Sequence, residues 1–155
     1  MPRTTLRALD RYPFATAVEL GADDMNHAGH LGFDRVLCVV QRAWSVLFAG
    51  MGVRDTDLGD GRTGVIVSDV AINYRAEGFA GERLQVELAP FELEASTFRF
   101  AARLTRDGTL VALLDLGIVA FDYQRRAKGR WPADVARGLG ALQARGRGSE
   151  AAGEA

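Results

Sequence analysis

The chain has 155 residues, a length that suggests one domain able to bury a core without disulfides or metal. Hydrophobic residues at 48% and charged residues at 25% are ordinary globular values, which exclude wholesale disorder and a fibre. Lys+Arg 19 against Asp+Glu 20 leaves a net charge of −1, so a nucleic-acid-coating role has no electrostatic support. The segment Met1–Asp10 holds no apolar stretch of signal-peptide length, and the single cysteine, Cys38, fits a reducing compartment; a soluble, cytoplasmic protein is expected. Phe14–Leu20 reads as a short strand. Leu31–Phe48 then reads as a helix. At about 100° per residue, Asp34, Arg35, Gln41, Arg42 and Ser45 fit within roughly 120°, leaving about two-thirds of the circumference apolar. A helix of that kind is one that something else wraps around. Gly50 and Gly52 mark its end.

The following segments read as the wrapping. Gly64–Arg75 is rich in Val and Ile, and it runs into a turn at Glu77-Gly78, with Gly81 just beyond. Leu84, Val86 and Leu88 alternate with Arg83, Gln85 and Glu87, the period of a half-buried strand. Pro90 shifts that phase to Phe91 and Leu93, which points to a bulge or an edge position. Phe98, Phe100, Ala102 and Leu104 alternate with Arg99, Arg103 and Thr105. Asp107-Gly108 is a two-residue hairpin signal. Leu110–Tyr123, apolar on both faces except at Asp115, reads as a central strand and is too interrupted for a membrane span. Residues 1–131 are expected to form the domain and 132–155 a short helix, Pro132–Gln143, followed by a frayed tail over Ala144–Ala155. An α+β domain results, with an antiparallel sheet curved around one helix.

The polar groups are concentrated between the first strand and the helix. Asp23-Asp24-Met25-Asn26-His27-Ala28-Gly29-His30-Leu31-Gly32-Phe33-Asp34 holds both histidines of the chain and three carboxylates. The first-turn N–H groups of a helix are unsatisfied and the dipole is positive there, so a carbonyl oxygen gaining negative charge is stabilised at such a spot. A loop that merely caps the helix is the alternative reading. Cys38 shares the polar stripe but reads as a packed residue, and His27 as an exposed one.

Asp24-Met25-Asn26-His27-Ala28-Gly29-His30 and the order of elements resemble the hotdog fold, specifically the acyl-CoA thioesterases of the 4-hydroxybenzoyl-CoA thioesterase type. Their first strand runs into an Asp-x-Asp-x-x-Gly-His stretch that opens the central helix. Ile72–Glu82 is similar to the family's strand end and Gly-Asp turn, and Phe121-Asp122-Tyr123 with Arg125-Arg126 to the close of its last strand. The resemblance spans roughly Tyr12 to Lys128. It implies five to six antiparallel strands around the helix, and a homodimer or dimer of dimers with sites at the subunit boundary. It also implies hydrolysis of an acyl-CoA or acyl-carrier-protein thioester, without metal or redox cofactor, nucleic acid or membrane. The family's catalytic acid falls by position on Asn26, and asparagine is neither a base nor a carboxylate nucleophile. Asp34 or His30 is therefore the expected base, with Asn26 orienting water or the carbonyl. Substrate contacts are expected at Gly32 and Phe33, where the helix amide would hold the carbonyl oxygen, and at Asp69, Tyr74 and Arg75. Arg125, Arg126 and Lys128 are further candidates for coenzyme A phosphates. Two other readings follow from the same residues: an acyl-CoA-binding protein without hydrolysis, suggested by Asn26, and an enoyl-CoA hydratase, suggested by Asp24, Asn26 and His30.

Overall fold

Alternation along the strands assigns two faces to one sheet. In the strand Thr97–Arg106, the side chains of Phe98, Phe100, Ala102 and Leu104 are buried, while Arg99, Ala101, Arg103 and Thr105 lie on the other face. A computed structural model describes residues 3–147. Within it, β1 (Phe14–Glu19) leads through a short 3-10 turn at Ala22–Asp24 to α1 (Arg35–Gly50). The remaining elements are β2 (Thr63–Tyr74), β3 (Arg83–Phe91), β4 (Thr97–Arg106), β5 (Thr109–Asp122), β6 (Ala127–Lys128) and α2 (Ala133–Arg147). Every pairing is antiparallel, in the order β1-β3-β4-β5-β2, with the short β6 also beside β5. Among the described residues, no helix is long and apolar enough to cross a membrane.

The core lies between the inner face of this sheet and α1. Val36, Val39, Val40, Ala43, Trp44, Leu47 and Phe48 are the buried side of the helix, and Trp44 stacks on Phe100 with ring centroids 6.1 Å apart. Leu37 and Val46, both counted in the apolar arc, remain exposed, so a single chain covers only one side of the helix. From α2, Val135, Leu139 and Leu142 join the same core, and the Leu93 amide donates to Gln143 Oε1 at 3.0 Å.

Most of the expected strands match. Asp107 (φ 46°) and Gly108 (φ 80°) make the hairpin turn between β4 and β5, both in the left-handed region that such a turn requires. Pro90 occupies an edge rather than a bulge. Its register with Phe100 is continuous, and β1 ends opposite Leu88, so no neighbour on that side needs the missing N–H. Two readings are corrected. The helix begins at Arg35, not Leu31: Leu31 is bridged to Met25 instead, with its amide on the Gly78 carbonyl, and the chain turns only at the Arg35 amide's bond to the Gly32 carbonyl. Asp34 is consequently the residue before the first turn. At the other end, α2 continues through Arg147, so residues 144–147 are helical where fraying is expected; residues 148–155 of that tail lie outside the described residues.

The outer face carries ion pairs in register. Arg99 donates to Asp69 at 2.6 Å and to Asp115 at 2.7 Å, and Arg103 grips Glu87 at 2.5 and 2.9 Å with its guanidinium 4.6 Å from the Tyr12 ring. The Arg99 and Ser68 hydrogen bonds hold the Asp69 carboxyl below the usual carboxylate range. This crossing needs the space above Gly117, which pairs with both Asp69 and Arg99. A Cβ there would strike the Asp69 and Ser68 side chains and lie 3.0 Å from Arg99 Nη1. Gly117→Ala is therefore expected to lower stability by about 1–3 kcal/mol, the usual cost of overpacking, read from the urea midpoint; an unchanged midpoint would show that the ion pairs simply step aside.

Candidate active site

The backbone from Leu20 to Asp34 is fixed before any side chain reaches the cleft. The Leu31 amide donates to the Gly78 carbonyl at 2.7 Å, the Gly32 amide to the Asp24 carbonyl at 2.9 Å, and Met25 and Leu31 form an isolated antiparallel bridge. The absence of a side chain at Gly78 eases this approach, since a Cβ there would lie 2.9 Å from Leu20 Cδ1 and 3.4 Å from Leu31 Cβ. Asp24 is buried. Its Oδ2 accepts from the Gly21 amide at 2.8 Å and its Oδ1 from Arg42 Nη2 at 2.8 Å, which ties the loop to the middle of α1.

On this frame Asn26 closes a tight turn. Its Oδ1 accepts from the amides of Ala28 (3.0 Å) and His30 (3.4 Å), its own amide donates to the His30 carbonyl (2.8 Å), and Gly29 supplies φ 80°. This is an Asx turn, in which the side chain substitutes for backbone. The His30 ring is half-buried, with Nδ1 3.1 Å from the Leu31 carbonyl. A carbonyl only accepts, so this contact assigns the proton of the neutral ring to Nδ1, and Nε2 has no partner among the described residues.

The turn into α1 is held by two carbonyls. Gly32's accepts from the Arg35 amide at 3.0 Å, and Phe33's accepts from the Tyr74 hydroxyl at 2.9 Å. The Phe33 and Asp34 amides have no protein acceptor among the described residues, as expected for the N–H groups that precede a helix. The Asp34 carboxylate folds back over Gly32, with Oδ1 2.7 Å from where a Cβ would stand. Burial, and secondly the Asp34 charge, push the Tyr74 phenol above its ordinary value, so the hydroxyl stays a donor through the neutral range.

These pieces meet at a cleft of about 360 Å³ lined by Asn26, His30, Phe33, Tyr74 and Arg75, all expected from the sequence. Gly32 and Asp34 belong to the adjoining turn without lining it. Asp69 does not join them: it sits on the outer face, gripped by Arg99. Leu31, Val36, Ala76, Glu77 and Val111 complete the lining and were missed. Val111 was traceable in principle. It lies three residues past Gly108 in β5, a position the hairpin signal marks, and its carbonyl accepts from the Arg75 and Ala76 amides just beyond β2 at 2.8 and 3.2 Å. A larger groove of about 580 Å³, between residues 6–12, the outer sheet face and the end of α2, includes none of the expected site residues. Among the described residues no three potential metal ligands converge.

An antiparallel sheet with one central helix, and a cleft where that helix starts, are the marks of a hotdog-fold thioesterase. Residues 20–139 match the Thioesterase-like superfamily model, and the chain belongs to that superfamily. Its relatives include a 1,4-dihydroxy-2-naphthoyl-CoA hydrolase of Synechococcus elongatus, 26% identical over 78% of this chain and 89% of that protein. In fold it is similar to Slr0204, a 1,4-dihydroxy-2-naphthoyl-CoA thioesterase from Synechocystis, with a TM-score of 0.74 at 18% identity over 83% of this chain and 96% of that one. It is also similar to SAV2348 from Staphylococcus aureus in complex with CoA, with a TM-score of 0.75 at 11% identity over 90% and 88%.

Asp24→Asn keeps the shape but replaces one acceptor with an N–H₂ that cannot receive both Gly21 and Arg42. A loss of about 1–3 kcal/mol is expected from the buried group left unpaired. Thermal melts of the variant and of Arg42→Met check it. Equal losses in the two would place the whole effect in their mutual contact, while wild-type melting of both would mean the tie contributes nothing.

Proposed function

We propose that the protein hydrolyses an acyl-CoA, or an acyl-carrier-protein thioester, at the cleft between the Asn26–Phe33 loop and the end of β2. The observation that carries this reading is one small cleft lined by His30 and Phe33, with the Phe33 and Asp34 amides, which have no acceptor among the described residues, in the turn that adjoins it. The thioester oxygen lies against those amides, whose partial positive charge at the helix start stabilises the oxyanion. His30 Nε2 takes a proton from water as the water oxygen bonds to the carbonyl carbon. The tetrahedral intermediate then collapses, the C–S bond breaks, and the departing sulfur receives the proton from the imidazolium. Asp34, next to the amides, either stabilises that imidazolium or serves as the base in its place. Asn26 keeps His30 in position through the Asx turn. Arg75 at the mouth attracts the phosphates of coenzyme A. The relative's activity on 1,4-dihydroxy-2-naphthoyl-CoA supports including aryl-CoAs among the substrates tested.

A second copy of the chain completes the cleft in this reading. β2 is an edge strand whose middle residues, Val67, Ser68, Asp69 and Val70, are exposed, as are Leu37 and Phe33 of the α1 region. Unpaired edges with apolar flanks are templates for pairing with another strand. Sedimentation is expected to give a dimer or a dimer of dimers, and Val70→Arg a smaller species; a wild-type monomer would rule the pairing out.

Turnover is measured on a panel of aliphatic and aryl acyl-CoAs with a thiol reagent. His30→Gln is expected to lower kcat by about 10²–10⁴-fold, the usual worth of a general base. Asp34→Asn is expected to lower it by less than about tenfold, the size of a helix-terminal charge effect. The reverse ranking would make Asp34 the base. Tight acyl-CoA binding with no turnover on any member would leave a binding protein and sink hydrolysis, whereas hydration of an enoyl-CoA would replace it.

A further inference from the structure

We infer that Tyr74 is a positioning residue that aims the backbone donors at the start of α1. The inference rests on the hydrolysis reading, because only a developing oxyanion gives that aim a consequence. Tyr74 is the last residue of β2, paired with Ala112 on β5, in the row that continues to buried Leu104 on the inner face. From there its ring reaches the turn before the helix and donates to the Phe33 carbonyl. Among the described residues, no other donor reaches that carbonyl, because α1 hydrogen bonding begins further along the chain.

The peptide group gives this contact its consequence. Phe33 C=O and Asp34 N–H belong to one planar trans unit, so the oxygen and the hydrogen point in opposite directions. A hydroxyl that fixes the oxygen therefore fixes the direction of the Asp34 N–H. The preceding unit is fixed in the same way: Gly32 O is held by Arg35, which sets the direction of the Phe33 N–H. Side-chain packing offers no substitute, since Phe33 is 73% exposed and Asp34 is exposed as well. Take away the Tyr74 hydroxyl and the Phe33–Asp34 peptide has no hydrogen bond on either edge. It is then free to rotate away from the direction the oxyanion needs.

Tyr74→Phe keeps the ring and removes only the hydroxyl. It is expected to lower kcat by about 10–100-fold, less than the 10²–10³-fold for outright loss of an oxyanion donor, with KM within about threefold and melting unchanged. A fluorinated tyrosine at position 74 supplies the readout that a packing role would not move. Its activity should be near wild type while the phenol is protonated and should fall as pH rises through that phenol's ionisation, since a phenolate cannot donate. The unmodified Tyr74, raised by burial and by Asp34, should show no such fall in the neutral range. Wild-type kcat in Tyr74→Phe, or a fluorotyrosine profile that overlays the wild type, overturns the inference and leaves hydrolysis standing. If the wild type itself turns over no acyl-CoA, hydrolysis has failed, and the carbonyl stretch of bound ¹³C-carbonyl benzoyl-CoA decides the positioning role alone. A downshift in wild type that is diminished in Tyr74→Phe supports it; equal frequencies, or no bound signal, overturn it.

Discussion

Asp24 joins three parts of the chain that the cleft needs in one place. Its carboxylate holds the Gly21 amide and the Arg42 guanidinium, and its carbonyl holds the Gly32 amide. The first bond closes the turn after β1, the second ties that turn to the middle of α1, and the third sets where the helix can start. A carboxylate buried to this degree is tolerated only when its lone pairs are occupied by donors, one of them charged. Next to it, Leu31 is bridged to Met25 rather than helical. α1 thus starts at Arg35, five positions after His30.

The strands and the hairpin were legible because their signals are local. Asp107-Gly108 needs no distant partner to adopt left-handed φ values, and alternation over Phe98–Leu104 reports one buried face whatever lies across from it. The beginning of α1 was not legible for the opposite reason. Leu31 and Phe33 continue the helical apolar period, yet Leu31 is bridged to Met25 and bonded to Gly78, which is forty-seven positions away in the chain from it. Long-range hydrogen bonds overrode the local pattern. The exposure of Leu37 and Val46 has a related cause: the periodicity of a helix records which face is apolar, not whether its own chain covers that face.

Asp69 and Asp115 show what a period-2 reading can and cannot resolve. Both were conspicuous as carboxylates inside apolar strands, and one was expected near the ligand. Which face each occupies depends on the bulge between Val67 and Asp69. That irregularity is visible only once β2 and β5 are paired, and it puts Asp69 opposite Gly117 and within reach of Arg99. The two carboxylates then share one guanidinium on the outer face, 2.6 and 2.7 Å from it, and Gly117 is the residue that leaves them room. An acid in a strand is a poor guide to chemistry until the register is known.

Asn26 deserves its asparagine on physical grounds. Its side-chain oxygen accepts from two successive amide donors at the tip of the loop, a task a carboxylate performs equally well. The difference between the two lies in charge. An aspartate engaged by these amides would add a negative charge on the lining of the cleft that His30 also lines, where the carboxamide adds none. With a neutral carboxamide, the turn is kept without that charge. Asn26 is therefore a support for the loop, and the two groups proposed above to move a proton lie elsewhere: His30 within the turn that Asn26 closes, and Asp34 just before the first turn of α1.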